Sequence, residues 1–262
     1  MQNGFGKFAV TLCAVYLLSP LAHAQMAIGA CPNFPAPEVV VTGFFETLTY
    51  DFSKDMMKMR QLSVSHASES LQQPVGLATG ELSIGLVMQS NLSVSTDGQV
   101  CARPKMLHID AGFQHSTIYV TRELPQNSCG YREVLAHEEG HIAIDRQLLA
   151  DYRARLTQFA QQAVQQLGTV SARSQAEADK QMQDFINAKL QDVGQEMNRE
   201  RDRRQALHDS PEEYTRLGKV CNGEIALAVR RYGAPGTIVT QVQTDNAHAA
   251  APITAPQTFT RY

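Results

Sequence analysis

The spacing of apolar and polar positions changes near Tyr131, and the chain divides there. From Glu38 to Thr121 the apolar residues come in short runs: Val39-Val40-Val41, Phe44 to Tyr50, Glu81 to Met88, Met106 to Ile109 and Thr117 to Thr121. The runs are rich in β-branched and aromatic residues and are punctuated by Gly, Asn, Asp and Pro, which predicts strands and turns. Ser53 to about Leu62 reads as a short helix with Ser53 as its cap.

Beyond Tyr131 the period lengthens. Leu135, Ile142, Leu149, Leu156 and Ala163 recur every seven residues, with Tyr152 and Phe159 between them. That is the stripe of a long amphipathic helix, and Gly168 is a natural stop. Ser174-Gln175-Ala176-Glu177 has the form of a capping box. It opens a second helix whose stripe is Ile186, Val193 and Leu207, flanked by Phe185, Leu190 and Met197. The short break predicts an antiparallel helical hairpin. A third helix starts at Ser210-Pro211-Glu212-Glu213, where a cap, a first-turn proline and two acids meet the positive end of the helix dipole. It ends near Gly223 or continues to Arg231.

These elements predict an α+β fold. A small, mainly antiparallel sheet with one short helix occupies residues 38–130, and a helical region follows over 131–231. Residues 232–262 are rich in Ala, Thr, Pro and Gln without periodicity and are expected to be disordered.

Composition adds two constraints. The 262 residues are 43% hydrophobic, enough for one or two cores, and 23 basic against 26 acidic side chains leave no basic field for nucleic acid. The N-terminus reads as a secretion signal over residues 1–24. Lys7 precedes the apolar stretch Phe8 to Leu18, Pro20 breaks it, and Ala22-His23-Ala24 supplies the small-x-small pattern. The apolar stretch is too short for a permanent anchor, and Val10-Thr11-Leu12 lacks the small residue expected before a lipidated Cys13. Cleavage after Ala24 would leave a periplasmic or secreted product with an N-terminal arm over 25–37 and no membrane span. Cys31, Cys101, Cys129 and Cys221 then remain for two disulfides, with three pairings open and no C-x-x-C spacing.

The chemistry is concentrated in His137-Glu138-Glu139-Gly140-His141. Imidazoles four apart on a helix project from one face and can grip one zinc ion from one side. A glutamate directly after the first histidine sits beside such an ion without binding it, placed to take a proton from water. Gly140 costs about 1 kcal/mol relative to alanine in a helix, which calls for close approach by another segment or a ligand. With this motif placed, Cys129 directly precedes the metal helix and Cys221 lies on or just after the third. The favoured pairs are therefore Cys129–Cys221, pinning the third helix over the metal end, and Cys31–Cys101, tying the arm to the sheet.

The run Cys129-Gly130-Tyr131-Arg132-Glu133-Val134-Leu135-Ala136 and the motif that follows resemble the uncharacterised, exported bacterial proteins regarded as predicted zinc-dependent proteases. The resemblance covers roughly residues 50–214. It includes a Gln-x-x-x-Asp segment, matched by Gln205 and Asp209, but Tyr214-Thr215 stands where that family has a histidine-glycine pair. It implies a zincin-like peptidase with His137 and His141 as ligands and Glu138 as general base.

A catalytic zinc needs a third protein ligand. A turn centred between Gly168 and Ser174 sets Glu200 opposite His141, and Glu200 interrupts the apolar series Ile186, Val193, Leu207. A carboxylate in that register has a reason to exist if it binds metal; pairing with Arg199, Arg203 or Arg204 is the alternative. His208 is the next candidate ligand, Glu213 is explained by its helix cap, and Asp145 is placed to hold an imidazole N–H. The expected activity is zinc-assisted hydrolysis of a peptide or protein substrate in the bacterial envelope, with Tyr131, His208 and Tyr214 as candidate oxyanion donors. A non-catalytic zinc protein or a helical adaptor is the alternative.

Overall fold

The sheet is organised around one long strand. The computed structural model describes residues 31–64 and 73–233, so the expected signal over 1–24, His66 and all but the first two residues of the expected tail lie outside the described residues. The elements in chain order are β1 (Glu38–Phe45), β2 (Thr49–Asp51), α1 (Met56–Val64), β3 (Gly76–Val94), β4 (Val100–Val120), α2 (Cys129–Leu167), β5 (Val170–Ala172), α3 (Gln175–His208) and α4 (Pro211–Tyr232). All four other strands pair with β4. Along β4 the buried Leu107, Ile109 and Ala111 alternate with the more exposed Met106, His108 and Asp110, as a sheet covered on one face requires.

The sheet is mixed. β3 and β5 run antiparallel to β4, but β1 and β2 lie parallel to it, end to end along its other side. The run from Phe44 to Tyr50 is therefore split between two strands, while β3 and β4 extend well beyond their apolar segments. Alternation with solvent carries the outer part of the hairpin. Its turn closes through Gly98, whose φ of 82° suits a residue without Cβ. Two register shifts interrupt it, one beside Pro104, which cannot donate to a ladder, and one at Gly80 opposite His115 and Ser116. Helix α1 is capped by Asp55, whose carboxylate accepts from the Lys58 amide, rather than by Ser53.

The two regions share their interior. Ile84, Leu107, Ile109 and Phe113 of the sheet pack with Leu148, Tyr152 and Leu156 of α2 and Ile186, Leu190, Val193 and Met197 of α3. A second cluster joins Ile118 and Val120 to Tyr131, Val134 and Ile142 of α2 and to Tyr214, Leu217 and Ile225 of α4. The metal motif sits on this second cluster.

The caps expected at Ser174 and Ser210 are present, and Ser128 caps α2 in addition. Ser128, Ser174 and Ser210 accept from the amides of Tyr131, Glu177 and Glu213, and Glu177 reaches back to the Arg173 amide. Helix α4 both stops and continues: Val220 to Gly223 leave helical geometry, with Cys221, Asn222 and Gly223 at positive φ, and the helix then resumes. Cys221 bonds Cys129 at that break, and Cys31 bonds Cys101. These are the two favoured pairs, and no helix among the described residues is long and apolar enough to cross a membrane. Both features are compatible with an extracellular or periplasmic protein.

Candidate metal centre

Three helices meet at the motif: the first turns of α2, the last turn of α3 and the first turn of α4. His137, Glu138 and His141 are buried. His137 Nδ1 lies 3.3 Å from Glu213 Oε1, and His141 Nδ1 is hydrogen-bonded to Gln205 Oε1. The orientation of Gln205 follows from its other contacts, because its Nε2 donates to the His141 carbonyl (3.2 Å) and to Asp145 Oδ1 (2.9 Å). Each ring has an oxygen acceptor at Nδ1, and in the tautomer that gives that acceptor its proton a neutral ring carries its lone pair on Nε2.

Those two Nε2 atoms converge on one oxygen. Asp209 Oδ1 is 3.1 Å from each of them. Two nitrogen lone pairs and a carboxylate oxygen in one poorly solvated place demand positive charge, either as imidazolium protons or as a bound cation. Burial alone would push the His141 pKa down. Asp209, Glu138 and Gln205 outweigh it and raise the pKa above its ordinary value.

His208 adds a third ring. It stacks on His137 with centroids 4.4 Å apart and lies edge-on to His141 at 4.7 Å. Its Nε2 donates to the His137 carbonyl at 3.0 Å, which leaves the Nδ1 lone pair for a ligand. Burial, with the charges of His141 and His137, holds its pKa below the ordinary value. Ligand atoms of His137, His141 and His208 all lie within 4.8 Å of one another, so the three residues can hold a metal ion. Gly140 makes room for the third ring, because a Cβ there would fall 2.5 Å from His208 Nε2.

Glu138 takes no part in this hydrogen-bonded frame. It is fully buried against Val134 and Gly76, and neither carboxylate oxygen has a hydrogen-bond partner; the nearby Ala78 backbone lends only weak support. Burial raises its pKa to about 7 against the opposing pull of His141 and His137.

Several expectations change place here. Glu200 is not part of the group: its carboxylate is held at 2.8 Å by Arg203 and by Arg204, the alternative weighed for it. The residue that meets His141 is Gln205, five positions further on. The break between the helices is not a simple turn, since β5 leaves α2 to pair with Val100 to Ala102 before α3 begins. This detour shifts the register of α3 by more than a turn.

Asp145 does not touch an imidazole. It is paired with Arg201 at 2.7 and 2.6 Å, both side chains buried, and reaches His141 only through Gln205. Arg201 also donates to the Gly80 carbonyl at 3.1 Å, at the β3 register shift, and its guanidinium stands 4.6 Å over the Phe113 ring. Glu213 does more than begin a helix. Its amide is capped by Ser210 and its carboxylate serves His137 and Arg216. Of the candidate oxyanion donors, Tyr214 is buried with its ring 6.3 Å from His137, and Tyr131 packs edge-on against Phe52.

The donor set fits a bound metal ion. Three imidazoles and the Asp209 carboxylate supply the donors, and the Glu138 carboxylate lies beside them. In comparisons with known proteins, no family model, no curated protein and no solved structure matches the chain.

Proposed function

We propose that this protein is an exported zinc-dependent hydrolase acting on peptide bonds. The observation that carries the proposal is the convergence of two Nε2 atoms on Asp209 Oδ1, with an oxygen acceptor beside each Nδ1 as well. The resemblance of the α2 sequence to predicted zinc-dependent proteases and the setting of the motif on α2, facing the end of α3 and the start of α4, support the same reading.

His137 and His141 would hold the ion through Nε2, with His208 or Asp209 as the third ligand. Zinc, when bound, supplies a Lewis acid that acidifies water and polarises a carbonyl. Glu213 and Gln205 orient the two imidazoles by accepting their Nδ1 protons. Glu138, with a pKa near neutrality, accepts the proton of the attacking water on a carboxylate oxygen and returns it to the leaving amine. The hydroxyl of Tyr214 is the preferred donor to the developing oxyanion, because its ring is beside His137.

One observation favours a second reading. Glu138 is closed off from solvent, so in this conformation no substrate reaches it. A centre that staples α2, α3 and α4 without catalysis would look the same. Elemental analysis and peptide hydrolysis by wild type and Glu138→Gln separate the two. Zinc retained with hydrolysis lost in the variant supports the enzyme. Stoichiometric zinc in a wild type that cleaves no peptide, with a melting temperature that falls on chelation, supports the staple. A wild type that binds no zinc overturns both.

A further inference from the structure

A second feature lies away from the metal centre, between β1 and the middle of α2. Residues Val41 to Phe45 on one side and Arg146, Leu149, Arg153 and Leu156 on the other enclose a groove of about 310 Å³. Among the described residues β1 pairs with β4 alone, so its other side presents unpaired backbone donors and acceptors along the groove. Such an edge is a template for an added strand, with main-chain hydrogen bonds giving affinity and alternate side chains giving selectivity.

The groove's charge selects the guest. Arg146 and Arg153 are exposed, and neither has a carboxylate partner among the described residues. Four of the six other arginines of α2 and α3 pair with carboxylates: Arg155 with Glu196, Arg201 with Asp145, Arg203 and Arg204 with Glu200; Arg132 donates to the Asn127 carbonyl, and Arg199 faces solvent away from the groove lining. Arg146 is held over the Phe45 ring at 4.8 Å, which keeps its guanidinium at the groove's rim. Two helical turns separate the two arginines, about 10.5 Å, a distance an extended chain covers in about three residues. Between them the lining is apolar. The chain's own segments outside the described residues carry two acidic side chains, Glu69 and Asp245, in different segments, so none offers two acidic side chains about three residues apart, and the guest is assigned to another molecule.

We infer that the β1–α2 groove docks an extended, acidic segment of a partner protein, added as a strand to β1 with its carboxylates on Arg146 and Arg153. The inference does not depend on zinc. The test is fluorescence anisotropy with the full chain and a labelled peptide alternating valine with glutamate. Controls are the same peptide with lysine for glutamate and one interrupted by proline. The glutamate peptide is expected to bind and to slow amide exchange at residues 41–45. Arg146→Glu and Arg153→Glu, both at exposed positions, should each weaken it about tenfold, by removing one attraction and adding a repulsion. Affinity should fall with added salt and be unchanged in His137→Ala. The proposal is overturned if the lysine or proline peptide binds equally well. It is overturned equally if both arginine variants bind as wild type, or if the glutamate peptide does not bind at all. Self-association abolished by the same two substitutions would assign the groove to a second copy instead.

Discussion

Arg201→Met is the most informative single perturbation of this fold. Arg201 and Asp145 are 3% and 1% exposed, and their two hydrogen bonds measure 2.6 and 2.7 Å. Removing the guanidinium leaves a buried carboxylate whose remaining partner is Gln205 Nε2 at 2.9 Å. Breaking a buried pair in this one-sided way costs about 3–5 kcal/mol, because the surviving charge stays desolvated. The stacked contact on Phe113 and the donor to the Gly80 carbonyl are lost as well. The double variant Asp145→Leu/Arg201→Met removes the charge altogether and should recover about 2 kcal/mol or more of that loss. Urea unfolding of wild type, both single variants and the double variant, with a chelator present, closes the cycle. A cost below about 1 kcal/mol for Arg201→Met, or strictly additive effects, would refute the reasoning. In the same set, Asp145→Leu should weaken zinc binding by roughly 10–100-fold, since Gln205 then loses the group that directs its oxygen toward His141.

Three further outcomes are expected. Gly140→Ala should favour the isolated helix by about 1 kcal/mol yet weaken zinc binding, because its Cβ displaces His208; zinc titration against a chromophoric chelator reads this directly. In metal-free protein the folded pKa of Glu138, about 7, lies above its unfolded value of 4.5, so its contribution is fully present below pH 4.5 and is lost as pH rises through 7. Glu138→Gln removes that loss and should be more stable than wild type by about 3 kcal/mol at pH 8, with little gain at pH 4; chelator-treated urea melts at both values measure it. Glu200→Ala should retain wild-type zinc stoichiometry by elemental analysis, since that carboxylate serves only Arg203 and Arg204.

What the chain discloses in advance is what depends on local period and spacing. The seven-residue stripe of α2, the caps at Ser174 and Ser210, the pairing of the cysteines and the face shared by His137 and His141 are all of this kind. What depends on register between elements is not disclosed. The apolar series of α3 favours Glu200, but strand β5 displaces α3 and brings Gln205, His208 and Asp209 to the imidazoles instead. The Gln-x-x-x-Asp spacing was the signal that marks two of these three, and Gly140 is the mark of the third. Arg201 is invisible to pattern reading, because its partners are a carboxylate on another helix and a carbonyl freed by a register shift in β3. The parallel setting of β1 and β2 on β4 is likewise a matter of pairing between elements, which local period does not carry.

Helix α2 runs unbroken for 39 residues, and this gives the molecule a fixed internal scale. Arg153 lies twelve residues beyond His141, an axial rise of about 18 Å. A stiff rod does not telescope, so anything anchored at the far arginine is presented to the imidazoles at one standard offset. An extended chain spans that offset in about five or six residues.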